Sequence, residues 1–345
     1  MLKQDVEIVF GCERIAGGAI QAPRAVGVWL LLVAVLVVAM TLLGGATRLT
    51  QSGLSIVEWK PVTGLLPPMS DAAWQRAFEQ YQRFPEYQKL NRGMSLAEFK
   101  AIYRFEYAHR LLGRAIGAAF LLPFLWFLWR RRLPRSLAWG LAGIFLFGGL
   151  QGLVGWWMVQ SGLVDRPDVS QYRLAIHLGL AVAILGLLAR LGWRILWPAP
   201  AARGGWAWAV LALVYLQLLS GALVAGLDGG LHYNTFPDMN GMWLPPELWA
   251  QQPAWVNLFE NPTTVQFDHR VGAYATSLAV LALWWHRRGP AGTVMLLALA
   301  VQVGLGIATL LLQVPVALGV LHQAGALALF LAVLWVADRG GSTPA

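Results

Sequence analysis

Eight apolar stretches of about 20 residues recur along the chain, near residues 25–44, 108–129, 137–160, 172–196, 206–226, 268–286, 290–312 and 315–337. Each is close to the length an α-helix needs to cross ~30 Å of hydrocarbon at about 1.5 Å per residue. The predicted fold class is therefore an all-α polytopic membrane protein with eight transmembrane helices. Composition agrees: 57% of the 345 residues are hydrophobic and 12% charged, with a mean hydropathy of +0.56. That balance excludes both a set of soluble domains and a disordered chain. The formal charge of +9 suggests a nucleic-acid partner only until the 26 Lys and Arg residues are located, because they cluster between the apolar runs. No nucleic-acid binding is expected. The single cysteine, Cys12, precedes the first run, so neither an intrachain disulfide nor a cysteine metal cage can form. That first run lacks a small-residue cleavage site and reads as a retained helix rather than a signal peptide.

The basic residues set an orientation. Lys3, Arg14 and Arg24, then Arg130, Arg131, Arg132 and Arg135, then Arg190, Arg194 and Arg203, and finally Arg287, Arg288 and Arg339 fall on one side. The short connections opposite carry only Arg166 and Arg173, and the 227–267 loop carries no Lys or Arg. By the positive-inside rule the basic side and both termini are cytoplasmic; the expected location is a bacterial inner membrane. The connection 45–107 faces outward with eight basic residues, but its 63 residues exceed the length over which the rule holds. Trp74, Phe78, Tyr81, Phe84, Tyr87 and Phe99, spaced among charges, predict a folded and partly helical outer cap.

The halves echo one another. Gly45-Ala46 and Pro67-Pro68 correspond to Gly221-Ala222 and Pro245-Pro246, Glu106 through Arg110 to Gln266 through Arg270, and Gln151 through Gly155 to Gln302 through Gly306. Four helices per half, each half starting from inside, predict parallel repeats forming two pseudo-symmetric four-helix bundles side by side. The expected division is a cytoplasmic segment 1–24, a first bundle 25–196 with its cap 45–107, a second bundle 206–337 and a tail 338–345.

Of six histidines, four share one depth. His109 opens the second run, His177 lies about five residues into the fourth, His269 opens the sixth, and His322 lies about seven residues into the eighth. These helices all run from outside to inside, so the four imidazoles fall within about two turns of the outer surface. A single intramembrane histidine near a helix end is often an interfacial hydrogen-bonder, but two per repeat demand a shared purpose. Facing helices of a bundle can supply both axial ligands of a heme, pairing His109 with His177 and His269 with His322. Glu106 with His109 and His177 could alternatively hold a smaller metal such as zinc, without help from cysteine. Gly113, Gly117, Gly179, Gly319 and Gly325 near these histidines favour a bulky flat ligand, although close helix packing also uses glycine.

With these residues in view the sequence closely resembles the heme A synthases of the mitochondrial and alphaproteobacterial class. The resemblance is carried by Gly44 through Thr50, Ser52 through Gly64, Glu86 through Asn91, Glu98 through Lys100, Glu106 through Arg110, Gly152 through Gly155, Asn234 through Met239 and Asn261 through Arg270. It spans roughly residues 25–337, and Cys12 being alone separates the chain from the class with an outer-loop cysteine pair.

The resemblance implies oxidation of the C8 methyl of heme O to a formyl group, giving heme A for cytochrome oxidase. It implies that one histidine pair holds the heme being modified and the other a resident heme b that relays electrons. It also implies a membrane setting that includes heme O synthase and cytochrome oxidase assembly factors as partners. Glu106, three residues before His109 on the same helix face, has Gln266 as its counterpart in the second repeat. His109 and His177 are accordingly assigned to the substrate, Glu106 to proton handling or charge stabilisation, and His269 and His322 to heme b. Glu106 could instead form only an ion pair with Arg110 or Arg104. Arg48, Arg110, Arg173 and Arg270 are candidates for binding heme propionates, which would point outward, and the hydroxyfarnesyl tail would lie toward lipid. Asn234 and Asp238 are expected to support a lid over heme b; Asp268 adjoins His269 but does not share its helix face. Two other functions fit four histidines: a b-type cytochrome passing electrons from quinol to another carrier, and a heme carrier without chemistry.

Overall fold

The computed structural model describes residues 20, 22–59, 64–164, 166–198 and 205–339. Lys3, Cys12, Arg14, Arg203, most of the predicted segment 1–24 and residues 340–345 of the tail lie outside the described residues. The described residues form helices joined by loops, with one isolated bridge between Met239 and Met242 as the only extended pairing among them. Eleven α-helices follow in order: α1 Arg24–Leu49, α2 Asp71–Tyr81, α3 Pro85–Lys89, α4 Leu96–Trp129, α5 Arg135–Ser161, α6 Gln171–Leu196, α7 Trp206–Gly226, α8 Asn257–Glu260, α9 Pro262–His286, α10 Pro290–Leu311 and α11 Val316–Arg339.

Seven of these, α1, α4, α5, α6, α7, α10 and α11, are long and apolar enough to cross a membrane. The chain is an integral membrane protein. α9 covers the remaining apolar run and is 25 residues long, but Thr263, Thr264, Gln266, Asp268, His269 and Arg270 crowd its first turns and lower its hydropathy. Two helices also begin earlier than their apolar runs. α4 starts at Leu96 rather than 108, because Ser95 and Glu98 form a reciprocal capping box. α9 starts at Pro262 rather than 268, because Asn261 accepts from the backbone of Thr263 and Thr264, and proline fits the first helical position.

α1 packs on α4, α6 and α11; α6 packs on α5, α7 and α11; α7 packs on α9 and α11; and α10 packs on α9 and α11. The approach of α1 to α6 depends on small residues. A β-carbon at Gly27 would stand 2.8 Å from Leu196 Cγ and 3.1 Å from the Gly192 carbonyl oxygen. Val26, Leu30, Leu141, Leu185, Leu188, Leu283, Met295, Leu327 and Val333 fill the core between the helices. At the same end of α6, Arg190 and Arg194 reach the buried Asp338 carboxylate of α11 at 2.6 and 2.8 Å. Charge taken out of water must be paired, and this cluster ties one half of the chain to the other.

The described part of the connection between α1 and α4 is partly helical and carries a small aromatic cluster of its own. Phe78 and Tyr81 of α2 meet Phe99 in the first turns of α4, with Trp74, Tyr87 and Tyr103 packed around them. Edge-to-face contacts such as Trp74 with Tyr103, 4.9 Å between centroids, give this small cluster its geometry. Ser70 caps α2 by accepting from the Ala73 amide at 3.2 Å.

Candidate functional site

Each of the four histidines stands against a glycine of a neighbouring helix. A β-carbon at Gly44 of α1 would lie 3.1 Å from His109 Nε2 of α4, and one at Gly155 of α5 would lie 2.9 Å from His177 Cε1 of α6. In the second half, Gly221 of α7 stands at 3.2 Å from His269 Cε1 and Gly306 of α10 at 2.8 Å from His322 Cε1. The His109 ring interacts electrostatically with that of His177, and the His269 ring with that of His322. Within each half the two rings are thus close enough to feel one another's charge. All four side chains are only partly buried.

The side chains that hold the rings differ between the pairs. Gln217 Nε2 lies 3.1 Å from His269 Nδ1 and donates to the His269 carbonyl at 2.8 Å, while Ser220 Oγ lies 3.2 Å from the same Nδ1. Gln302 Nε2 stands 3.5 Å from His322 Nε2. In the first half Gln151 Nε2 donates to the His177 carbonyl at 3.0 Å, but His177 Nδ1 is buried without a partner. No hydrogen bond holds the His109 ring among the described residues. The residue matching Ser220 in the repeat is Gly44. Gln217, Ser220 and the glutamine roles were missed from sequence, although a polar side chain inside an apolar run is the signal that marks them.

These residues fit a heme better than a small metal ion. Among the described residues no group of three or more His, Cys, Asp or Glu side chains converges as metal ligands would. Nδ1 of His177 and of His322 are buried without partners, orphaned polar atoms that a bound group can satisfy. A β-carbon would meet nothing within 4 Å at Gly117 of α4, at Gly148, Gly149 and Gly152 of α5, or at Gly304 of α10. Of the glycines singled out from sequence only Gly117 is open in this way: Gly113 packs on Met40, Gly179 on Tyr215, Gly319 on Leu49 and Gly325 on Gln302, so those four serve close helix packing.

Glu106 shares the α4 face of His109 and is 3% exposed. Its Oε2 accepts from Ser55 Oγ and from the Ile56 amide, both at 2.7 Å. Its Oε1 accepts from Arg110 Nη2 at 2.6 Å and Nε at 3.1 Å. The ion pair with Arg110 therefore exists, while Ser55 and Ile56 add an attachment to the cap that sequence did not reveal. Gln266, its counterpart, donates from Nε2 to the Tyr233 carbonyl at 2.9 Å and leaves Oε1 buried without a partner.

The four arginines named as propionate candidates all have protein partners. Arg110 donates to the carbonyls of Ile56 at 2.6 Å and Glu58 at 2.9 Å. Arg270 donates to those of Tyr233, Thr235 and Asp238 at 2.8 to 2.9 Å. The arginine following the first histidine of each half thus fastens the outer segment above it. Arg48 pairs with Asp228 at 3.1 Å and Asp168 at 3.6 Å, joining the ends of α1 and α7. Arg173 donates to the Trp157 carbonyl at 2.6 Å and stacks 4.4 Å from the Trp157 ring. Asn234 donates to the carbonyls of Gly230 and Leu310, and Asp238 accepts from Thr235 and the Gly241 amide. Those bonds, with the nearby Arg270 charge, hold the Asp238 carboxyl below its usual range.

Helices long and apolar enough to span a membrane, with four histidines each set against a glycine of a neighbouring helix, define an integral membrane protein with candidate heme ligands in both halves. The family described as cytochrome oxidase assembly protein, COX15-CtaA, matches residues 27–334. A protein of Rhodospirillum centenum named heme A synthase is 52% identical over 328 residues, covering 91% of this chain and 88% of its own. Proteins of the same name from Rhodopseudomonas palustris strain BisB5 (54% identity, 91% of this chain, 90% of its own) and Nitrosospira multiformis (50%, 92% and 93%) are similar throughout. The chain belongs to the COX15-CtaA family.

Proposed function

We propose that the protein is a heme A synthase, oxidising the C8 methyl of heme O to a formyl group in a bacterial inner membrane. The relatives' name and the length over which they match support the reaction. The division of labour between the histidine pairs rests on one observation: His269 is anchored by Gln217 and Ser220, whereas the ring of His109 is not. A resident group benefits from ligands fixed in tautomer and direction. A site that must take up substrate and release product benefits from ligands free to turn. His109 and His177 accordingly hold heme O, and His269 and His322 hold heme b. When bound, heme b supplies one-electron chemistry beside the substrate site.

The chain's own residues do the remaining work. Glu106 places a carboxylate on the substrate-facing side of α4 and steadies that face by gripping Ser55, Ile56 and Arg110. Negative charge there stabilises positive charge arising during methyl oxidation. Arg110 and Arg270 close the outer segments and keep water from the two sites. Arg48 and Arg173, at the outer rim, are the remaining propionate partners, with donors left beyond their protein contacts.

α9 completes eight crossings in this reading, and the helices form two pseudo-symmetric four-helix bundles, residues 25–196 with the cap and residues 206–337. The packing of α1 on α4 and α6, and of α7 on α9 and α11, supports that division. Basic inner connections support cytoplasmic termini and sites near the periplasmic face.

Purified protein given heme O under turnover conditions, followed by pigment extraction, tests the function. Heme A, or hydroxylated heme O, together with heme b is expected. Heme b alone with no conversion would make the protein a plain cytochrome, and intact heme O bound without oxidation would make it a carrier.

A further inference from the structure

The halves differ in what lies deeper in the helices than the histidines. On α5, Gly152 and Gly148 follow Gly155, the glycine against His177, on one helix face, because positions three and seven residues apart share a side. Leu141 and Ile144 continue that face and are buried, so it is the side turned to the bundle. A β-carbon at Gly148 or Gly152 would meet nothing within 4 Å. Phe145 of α5 stacks on the buried Phe120 of α4, 6.0 Å between centroids, which sets the register of the two antiparallel helices. Gly117, equally open, therefore stands level with Gly148. From Gly155 down to the Phe120–Phe145 pair the two helices thus border a glycine-walled slot, about 15 Å deep at 1.5 Å per residue.

The second half fills the same positions. The correspondence of Gln151 with Gln302 puts Leu299 at the place of Gly148 and Val303 at that of Gly152, and the correspondence of His109 with His269 puts Ser277 at that of Gly117. Leu299 is 6% exposed and belongs to the core. All three changes add bulk. The reverse change, Leu153 to Gly304, falls two residues from Gly306 and so on the opposite side of α10. The outer ends of the two sites nevertheless match. Nδ1 of His177 and Oε1 of Gln151 in one, and Nδ1 of His322 and Oε1 of Gln302 in the other, are buried without partners, as atoms awaiting a bound group are. Both halves can receive a macrocycle, and only the first continues below it.

We propose that the slot walled by Gly117, Gly148 and Gly152 is the subsite for the hydroxyfarnesyl tail of heme O, and that Leu299 restricts the second half to a heme without a tail. With the propionates directed outward, the prenylated edge of the macrocycle faces down the slot. Leu146 and Leu150 beside it are 71% and 44% exposed, so the tail can enter sideways from the hydrocarbon past apolar side chains alone. The assignment rests on the reading that His109 and His177 hold heme O.

The test counts extracted pigments per chain in wild type, Gly148→Leu, Gly152→Val and Gly143→Val, purified from cells that make heme O. A second set from cells without heme O is saturated with heme b and counted in the same way. Gly143 is as open as Gly148 but lies off that face of α5, and Gly143→Val is the control. Gly148→Leu is expected to retain heme b and to hold about tenfold less heme O and heme A than wild type, the order of effect that overpacking produces. In the second set it should reach the wild-type content of heme b. Gly152→Val should lose heme O and heme A in the same direction, and Gly143→Val should match wild type. If Gly148→Leu does not retain heme b, the same criteria fall on Gly152→Val. Wild-type amounts of heme O and heme A in the filled variant overturn the proposal. A matching loss of heme b in the second set also overturns it, because the slot would then be room for the macrocycle rather than for its tail. The reading of the site fails separately, through a His109→Ala protein that still holds heme O or heme A.

Discussion

Glu106 links the chemistry of the site to its architecture. A glutamine there would keep one acceptor oxygen but turn an NH2 toward either Ser55 and Ile56 or the Arg110 guanidinium, all of them donors. Breaking a buried ion pair costs about 3–5 kcal/mol, because the surviving charge is left without compensation. Glu106→Gln should therefore lower thermal stability and reduce heme A production at least tenfold while heme b remains bound. Near-normal heme A production in that variant would remove Glu106 from the mechanism. The four histidines were legible in sequence because a titratable side chain at matching depth in four apolar runs has few explanations. The arginines were not: one at a membrane rim reads the same whether it reaches a propionate or a loop carbonyl. Only the fold reveals that Arg110 and Arg270 close over Ile56 and Tyr233.

At the scale of elements, apolar length located the spans, and local chemistry moved their ends. The Ser95 to Glu98 capping box starts α4 twelve residues ahead of its apolar run and carries the helix into the cap. In α9 the polar residues that serve the site dilute the apolar signal that would announce a crossing, so function obscures topology there. The cap carries a pH dependence of its own. Folding raises the Glu86 carboxyl from 4.5 to about 8, so the folded cap binds a proton that the unfolded cap releases. Its contribution to stability is full below about pH 4.5 and is lost as pH rises through 8. Amide protection in α2 and α3, corrected for intrinsic exchange, should fall between pH 6 and 9 relative to α6. Glu86→Gln should flatten that fall, and equal protection at both pH values in wild type would show that the carboxyl is not buried in its neutral form.

For the whole molecule, repetition and its breakdown carry the function. Gly155 and Gly306 make matching room for His177 and His322, and Arg110 and Arg270 close matching outer segments. Against that symmetry, Glu106 has Gln266 as its counterpart and Gly44 has Ser220, so one half holds a carboxyl and an unanchored histidine ring while the other holds an amide and an anchored one. The repeats were visible as short echoed motifs. The difference in anchoring was not, because Gln217 and His269 lie 52 positions apart in sequence. The direct test is the pigment content of His109→Ala and His269→Ala proteins, each purified from cells that make heme O. The account predicts that His109→Ala retains heme b and contains neither heme O nor heme A, and that His269→Ala loses heme b. Loss of heme b from His109→Ala, with heme O or heme A retained, would contradict it.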